Sequence, residues 1–303
     1  MTHKDSHLPL PHILLAVAVM AVWGSNFVVI KIALTHLPPL LFATLRFTLA
    51  FLPAALFIRR PKVPWSHLAA YGVLIGAGQF GLLYIAMDGF ISPGLASLVI
   101  QIQVFFTIGL AMWFTGERVK SYQLVALVLA AAGLGIIVAH RGGDVTALGL
   151  VLVLLAALGW AGGNQVAKAS ATTDMLSYVI WSSVFAVPPL LVLSLLYDGW
   201  PAIETGVANA DLATWAAVLY QSVGNTMFGY ASWGWLLNRH PAATIAPFAL
   251  LVPVFGMGCS TLLLGEPLQG WKLVAAALVL LGLAVNVAWP RLARRRAAVT
   301  LPS

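Results

Sequence analysis

The chain has 303 residues, of which 61% belong to the set AVILMFWYC and only 8% are Asp, Glu, Lys or Arg. Soluble domains carry roughly 25% charged residues, so sixteen basic and nine acidic side chains are too few to cover a water-exposed surface. That composition argues against a soluble enzyme, a nucleic-acid-binding protein and a disordered chain, and the single Cys259 rules out a disulfide framework or a cysteine-based metal site.

A helix needs about 20 apolar residues to cross the hydrocarbon core of a bilayer. Apolar runs between charge, Pro and Gly punctuation predict ten spans: 12–33, 39–58, 66–87, 94–114, 121–140, 147–168, 175–197, 211–236, 241–264 and 270–289. The first is too long for a signal-peptide core and no small-residue cleavage site follows it, so it is read as a retained helix. It places Trp23 and Asn26 three apart on one face at mid-span. The second span carries Arg46, about 10 Å below the outer surface by helix rise. There it could either draw a substrate carboxylate or cap exposed helix carbonyls. The third offers Gln79, with Gly72 and Gly76 on the same side, and Tyr84 further along. Gly72 and Gly76 form a GxxxG pattern, a close-packing device that would also let a helix slide.

The fourth span has Gln101 and Gln103, which two apart cannot share a face; Gln101 is preferred for the interior. The sixth offers Trp160 and Asn164, and the eighth Gln221 and Asn225, four apart, with Phe228 close by. Connections are short except 198–210, which is polar. In the ninth span, Pro247 and Pro253 interrupt the backbone ladder and free carbonyls that could receive an ammonium group. A β-barrel is a poor fit, because 124–132 and 148–158 show no alternation of apolar and polar residues.

Basic residues set the orientation. With a cytoplasmic N-terminus, the inner segments hold Lys4, Arg59, Arg60, Lys62, Arg118, Lys120, Lys168, Arg239, Arg291, Arg294, Arg295 and Arg296, whereas the outer loops hold only Arg141. Both termini are therefore expected in the cytoplasm. The cluster Arg291–Arg296, in a basic tail spanning 290–303, reads as an anionic-lipid patch and not as a nucleic-acid site.

The two halves resemble each other. Gly116-Glu117 matches Gly265-Glu266, Leu124-Val125-Ala126 matches Leu273-Val274-Ala275, and Gly133-Leu134 matches Gly282-Leu283. Gly76 and Phe80-Gly81 match Gly224 and Phe228-Gly229, Pro93 matches Pro241, and Trp23 to Lys31 repeats the spacing of Trp160 to Lys168. Five spans is an odd number, so the second copy must sit upside down relative to the first. The expected architecture is an all-α polytopic membrane protein, a single membrane domain over 1–303. Its ten transmembrane helices form two inverted five-helix repeats, 12–140 and 147–289. Inverted repeats of this kind are a transporter signature.

Trp23-Gly24-Ser25-Asn26-Phe27, Arg46 after Pro38-Pro39, Pro253-Val254-Phe255 and the two Gly-Glu ends resemble the drug/metabolite transporter superfamily, specifically its ten-helix EamA-type members. The likeness covers roughly 12–289. It extends to YddG-type exporters of aromatic and other neutral amino acids. The resemblance implies a central cavity lined by helices 1, 3, 4, 6, 8 and 9, with helices 5 and 10 mainly structural.

No carboxylate falls at a predicted midplane, and all seven histidines lie at or near span ends. No metal site, cofactor or catalytic motif is expected, and the chain is not read as an enzyme. The interior is neutral, polar and aromatic. Trp23, Asn26, Gln79, Tyr84, Gln101, Trp160, Asn164, Gln221, Asn225 and Phe228 are the candidate substrate contacts; any single amide could equally be helix–helix glue. Lys31 and Lys168 snorkel from span ends, whereas Lys272 lies within a span. The function expected is export of small neutral metabolites across the inner membrane, foremost aromatic and apolar amino acids, by a monomer or weak oligomer embedded in lipid. Without a titrating group in the cavity, uncoupled facilitated diffusion is expected. Alternatives are export of nucleosides, sugars or amphipathic compounds with proton coupling, and a non-transporting scaffold or intramembrane enzyme.

Overall fold

The computed structural model describes residues 8–115, 120–140, 143–171, 174–240 and 242–299, with side chains described within these ranges except at 115, 242–243 and 290–299. Gly116, Glu117, Arg118, Arg141, Pro241 and the side chains of Arg291–Arg296 lie outside the described residues. Ten long helices follow one another: α1 (Leu10–Ala33), α2 (Pro39–Ala55), α3 (Trp65–Met87), α4 (93–115), α5 (Ser121–Ala139), α6 (Ala147–Ser170), α7 (Met175–Asp198), α8 (212–239), α9 (242–264) and α10 (Gly270–Val299). Eight of these are long and apolar enough to cross a membrane. The other two are α2, which is apolar but shorter, and α8, whose middle is polar. The protein is an all-α polytopic membrane protein. Among the described residues no strand forms, only an isolated bridge between Ile91 and Val145.

Helix starts have local causes. Pro39 and Pro93 stand in first turns, where the missing N–H has no intrahelical partner to lose. Thr146 Oγ1, Asp174 Oδ1 and Asp211 Oδ1 accept from Gly149 N, Ser177 N and Thr214 N, capping α6, α7 and α8. Two segments depart from the expected elements. The polar connection 198–210 contains a further short helix, Trp200–Asn209, whose Ile203 and Gly206 are buried; Gly206 packs on His36 and Pro38 of the α1–α2 connection. A count of apolar runs passes over such a helix because only one face of it is apolar. The last helix also runs on to Val299, into the stretch expected as a tail.

The packing has an internal order. α1 packs on α8 and α9, and α6 packs on α3 and α4; α3 meets α7, and α8 meets α2. The pairs α2–α7, α4–α9 and α5–α10 are the other large contacts, and smaller ones such as α1–α4 and α9–α10 stand outside this set. Exchanging each helix for the one five places along leaves this set unchanged. At the α5–α10 crossing a Cβ added to Gly133 would lie 2.8 Å from Ala275 O, and one added to Gly282 would lie 2.6 Å from Ala126 O. A side chain at either glycine would have to displace backbone, an overpacking cost of about 1–3 kcal/mol. Gly72 and Gly76 press on Ser182 and Ala186 of α7, so the GxxxG pattern serves close packing.

Irregular turns recur in α3 and α8 and in α4 and α9, whereas the π-helical end of α7, Ser194–Asp198, has no counterpart in α2. α3 is π-helical over Leu74–Gly81 and α8 over Tyr220–Phe228. α4 tightens to a 3-10 turn at Ile100–Ile102 and α9 at Ala246–Leu250, where Pro247 stands in the first turn. Such departures mark hinges and functional sites more often than ordinary helix does.

Candidate substrate site

The junction of α1 and α8 is held by polar groups at mid-span. Trp23 Nε1 donates to Asn225 O at 3.2 Å, and the Ser25 and Tyr220 hydroxyls lie 2.8 Å apart. The Trp23 ring packs against Tyr230 and Trp233, with Gly229 directly beneath it. Within the π-helical stretch Asn225 Nδ2 donates to Gln221 Oε1 at 3.1 Å, and Thr226 Oγ1 donates five residues back to Gln221 O at 3.0 Å. The wider turn brings Gln221, Asn225 and Thr226 into the interior together; all three are buried.

Arg46 of α2 is the largest fully buried side chain, with 1% of its surface exposed. Its Nη1 donates to Tyr84 OH at 2.8 Å and its Nη2 makes a long contact, 3.4 Å, with Thr226 Oγ1. The guanidinium lies 3.7 Å from the centre of the Phe80 ring. Ser222 Oγ donates to the Arg46 carbonyl at 3.0 Å, so α2 and α8 are tied from both directions. Of the two roles open to Arg46 in the sequence, the capping of helix carbonyls is not the one observed: its hydrogen bonds go to two hydroxyls. No ion pair forms at Arg46 among the described residues. An arginine at the centre of a membrane helix costs about 2.5–3.5 kcal/mol on insertion scales, and aromatic faces offset only part of that.

Four buried polar atoms on four helices lack partners here: Asn26 Oδ1 on α1, Arg46 Nε on α2, Gln79 Oε1 on α3 and Gln221 Nε2 on α8. Their side chains are all at least 95% buried. Native interiors satisfy most such groups; Ser92, Ser182, Asp198, Ser260 and Glu266 carry further unpartnered atoms elsewhere, and the four named here are the amides and the guanidinium.

A second polar group lies between α4 and α6. Asn164 Nδ2 donates to Gln103 Oε1 at 3.2 Å and to Thr107 Oγ1 at 3.3 Å, and Gln165 Nε2 donates to Thr107 O at 2.8 Å. Gln103 is thus the α4 amide that meets α6, while Gln101 is buried in the 3-10 turn. Trp160, one turn before Asn164, is half-buried against the apolar core. Phe228, at the end of the π-helical stretch, is 39% exposed. The structure therefore brings Trp23, Tyr84, Gln221 and Asn225 together with Arg46 through α8, and holds Asn164 on α4. Gln103 is named from the sequence without being preferred, and Thr226 and Thr107 are not named. A hydroxyl in an apolar run is common, and nothing local to a hydroxyl or an amide tells which helix it meets.

The carboxylates lie elsewhere. A cavity of about 620 Å³ opens at the end where α1 joins α2, lined in part by His36, Asp88, Asp198, Thr205 and Asn209. No candidate substrate contact lines it. Burial pushes the Asp88 carboxyl up, with Lys31 pulling it back. At the same end Gly94 N donates to Glu266 Oε2 at 3.3 Å, and Lys272 is buried against Asp144 and the Pro267 carbonyl. The close contacts of α4 with α9 fall at Pro93–Val99 and Leu251–Leu264, so these helices meet at that end.

The EamA-like transporter family matches this chain twice, over 10–139 and 147–288. The chain belongs to that family. A protein named "Probable amino-acid metabolite efflux pump" from Salmonella typhimurium is 41% identical over 293 residues, covering 95% of this chain and 96% of that one. A protein of the same name from Escherichia coli strain K12 is 40% identical with the same coverage. "Uncharacterized transporter YoaV" of Bacillus subtilis is 28% identical over 281 residues, 89% of this chain and 94% of its own. A solved crystal structure aligns with a TM-score of 0.62 at 18% identity, over 93% of this chain and 98% of the other, a likeness of fold alone. The family and these names indicate a multi-pass membrane exporter and not an enzyme.

Proposed function

We propose that this EamA-family protein exports small neutral metabolites, foremost amino acids with aromatic or apolar side chains, by alternating access around one central site. The observation that carries the reading is the nearly fully buried set Asn26, Gln79, Gln221 and Asn225, on three helices of the interior. Amides can bind a zwitterion's carboxylate and ammonium without supplying net charge, and Trp23 and Trp160 offer faces for an apolar side chain. The names of the relatives from Salmonella typhimurium and Escherichia coli, probable amino-acid metabolite efflux pumps, support amino-acid metabolites as the class of cargo.

Alternating access is supported by the packing. Helix pairs that survive exchange of the halves, with matched π and 3-10 turns in α3/α8 and α4/α9, are what two inverted repeats, 12–140 and 147–289, would build. With the N-terminus in the cytoplasm, the α4–α9 contact lies at the outer end, which is then the closed one. No carboxylate or imidazole hydrogen-bonds the amide set among the described residues. The proposed flux is therefore uncoupled and follows the substrate's own gradient.

Purified protein in liposomes, given a panel of radiolabelled amino acids with and without a pH gradient, tests both parts. Amino acid should equilibrate without accumulating. Several-fold uphill accumulation that a protonophore collapses would overturn the uncoupled mechanism, and absence of any flux would overturn transport of amino acids. Trp160→Ala and Asn164→Ala should slow flux, whereas Trp289→Ala, at an exposed span end, should not. Equal losses at all three would indicate general instability instead of a substrate wall.

A further inference from the structure

We propose that Arg46 is the carboxylate receptor of the central site, so that the cargo must carry a carboxylate. The proposal rests on the transport reading above and narrows its substrate class. Three observations lead to it.

The first is the missing counter-charge. Arg46 is 1% exposed and forms no ion pair among the described residues, whereas the other buried cation, Lys272, has Asp144. A guanidinium does not shed its proton inside a protein, so its charge waits for an anion that the described residues do not supply.

The second is geometry. Phe80 covers one face of the guanidinium and Tyr84 OH holds Nη1, which fixes the plane of the group. The remaining edge is formed by Nε, which has no partner, and Nη2, which has only the 3.4 Å contact to Thr226. Two parallel N–H groups on one edge are the arrangement that grips a carboxylate with two hydrogen bonds.

The third is the sign of the other unpartnered atoms. Gln221 Nε2 is a second unused donor, suited to a carboxylate oxygen. Among the described residues Asn26 and Gln79 make no side-chain hydrogen bond, and their unpartnered oxygens, Oδ1 and Oε1, offer acceptors for an ammonium group. Donors on α2 and α8 with acceptors on α1 and α3 match the two ends of an α-amino acid. A cationic drug would face Arg46 with like charge. A nucleoside or sugar would leave the guanidinium without an anion.

Counterflow of radiolabelled L-phenylalanine through the wild-type protein in liposomes tests this, with three unlabelled competitors. 3-Phenylpropionate keeps the carboxylate and lacks the ammonium; phenylalaninamide and phenethylamine lack the carboxylate. We expect 3-phenylpropionate to compete, more weakly than phenylalanine itself. The other two should fail to compete at a hundredfold higher concentration. Arg46→Gln should abolish phenylalanine counterflow, and Arg46→Lys should retain a minor part of it. Competition by phenylalaninamide equal to that of phenylalanine would overturn the proposal. So would wild-type counterflow in Arg46→Gln. The competitor panel needs no variant, so misfolding of Arg46→Gln leaves the test intact. Thermal unfolding of the purified protein separates the two readings if phenylalanine is not transported. Protection by 3-phenylpropionate but not by phenethylamine would then uphold the carboxylate receptor while the amino-acid reading falls. Protection by neither would overturn both.

Discussion

Two cations are buried among the described residues, and the protein treats them in opposite ways. Lys272, near the start of α10, is 3% exposed and meets Asp144, from the α5–α6 connection, together with the Pro267 carbonyl. Arg46, within α2, is 1% exposed and meets only hydroxyls and aromatic faces. The first arrangement is complete in itself and ties two chain segments together at one end of the bundle. The second is incomplete, and it sits among helices whose turns are distorted. A closed ion pair serves stability; a charge left open at mid-span is a place for a ligand.

The comparison can be broken in several ways. The largest effect, all or none, concerns where the two regions lie. In a Cys259→Ser background, Thr205→Cys, at the Lys272 end of the bundle, should react with an impermeant thiol reagent added outside intact cells, and Lys62→Cys should not. The reverse pattern would turn the molecule over and make the Lys272 corner cytoplasmic. Next in size, Arg46→Gln should lower transport more than tenfold while moving the unfolding midpoint little. Two hydrogen bonds from the guanidinium are lost, each worth about 1.5–3 kcal/mol as a bond to a charged group, and the removal of a charge from the interior offsets that loss. A variant that unfolds in detergent would make Arg46 a structural residue.

Asp144→Asn should show the opposite split. Breaking a fully buried pair costs about 3–5 kcal/mol. Asp144 is 30% exposed, so about 2 kcal/mol is expected, with flux per folded molecule near normal. Joining Asp144→Asn to Lys272→Met should recover much of that loss, because no unpaired charge then remains; a double variant as unstable as the single one would refute the account.

The smallest effect is a pH dependence at the same corner. Burial pushes the Glu266 carboxyl above its ordinary value. A raised carboxyl favours the fold while protonated, and that contribution is lost as pH rises through the folded-state value. Glu266→Gln, which is neutral throughout, should therefore melt slightly above wild type at neutral pH. The difference should vanish as pH falls below the ordinary range of a glutamate. A constant difference across that range would show that ionisation of Glu266 does not matter to the corner.

Much of the site was legible in part. The amides of α1, α3 and α8 stand out in the sequence because a polar residue in an apolar run is conspicuous, and the structure buries Asn26, Gln79, Gln221 and Asn225. Arg46 was equally conspicuous, but its role was not. The same residue could cap carbonyls or await an anion, and only its bonds to Tyr84 and Thr226 separate the two. Gln101, preferred for the interior, is buried in the 3-10 turn, and that Gln103 reaches Asn164 of α6 could not be read from spacing along α4 alone. The helix Trp200–Asn209 escaped because hydropathy averages over a face that the fold buries.

The sequence by itself determined the number and place of the long helices. Transfer of a segment into a bilayer depends on its own residues, nearly additively, and needs no knowledge of neighbours. The proposed internal repetition likewise rests on matching residues that can be read without coordinates. The tertiary structure alone decided which charges are answered. Lys272 finds Asp144 across 128 residues of chain, and Arg46 finds Tyr84 across 38 and Thr226 across 180. Such pairs depend on which faces of which helices meet. That is set by close approach at glycines and by the π and 3-10 turns that rotate one part of a helix against the rest, and none of this is additive along the chain.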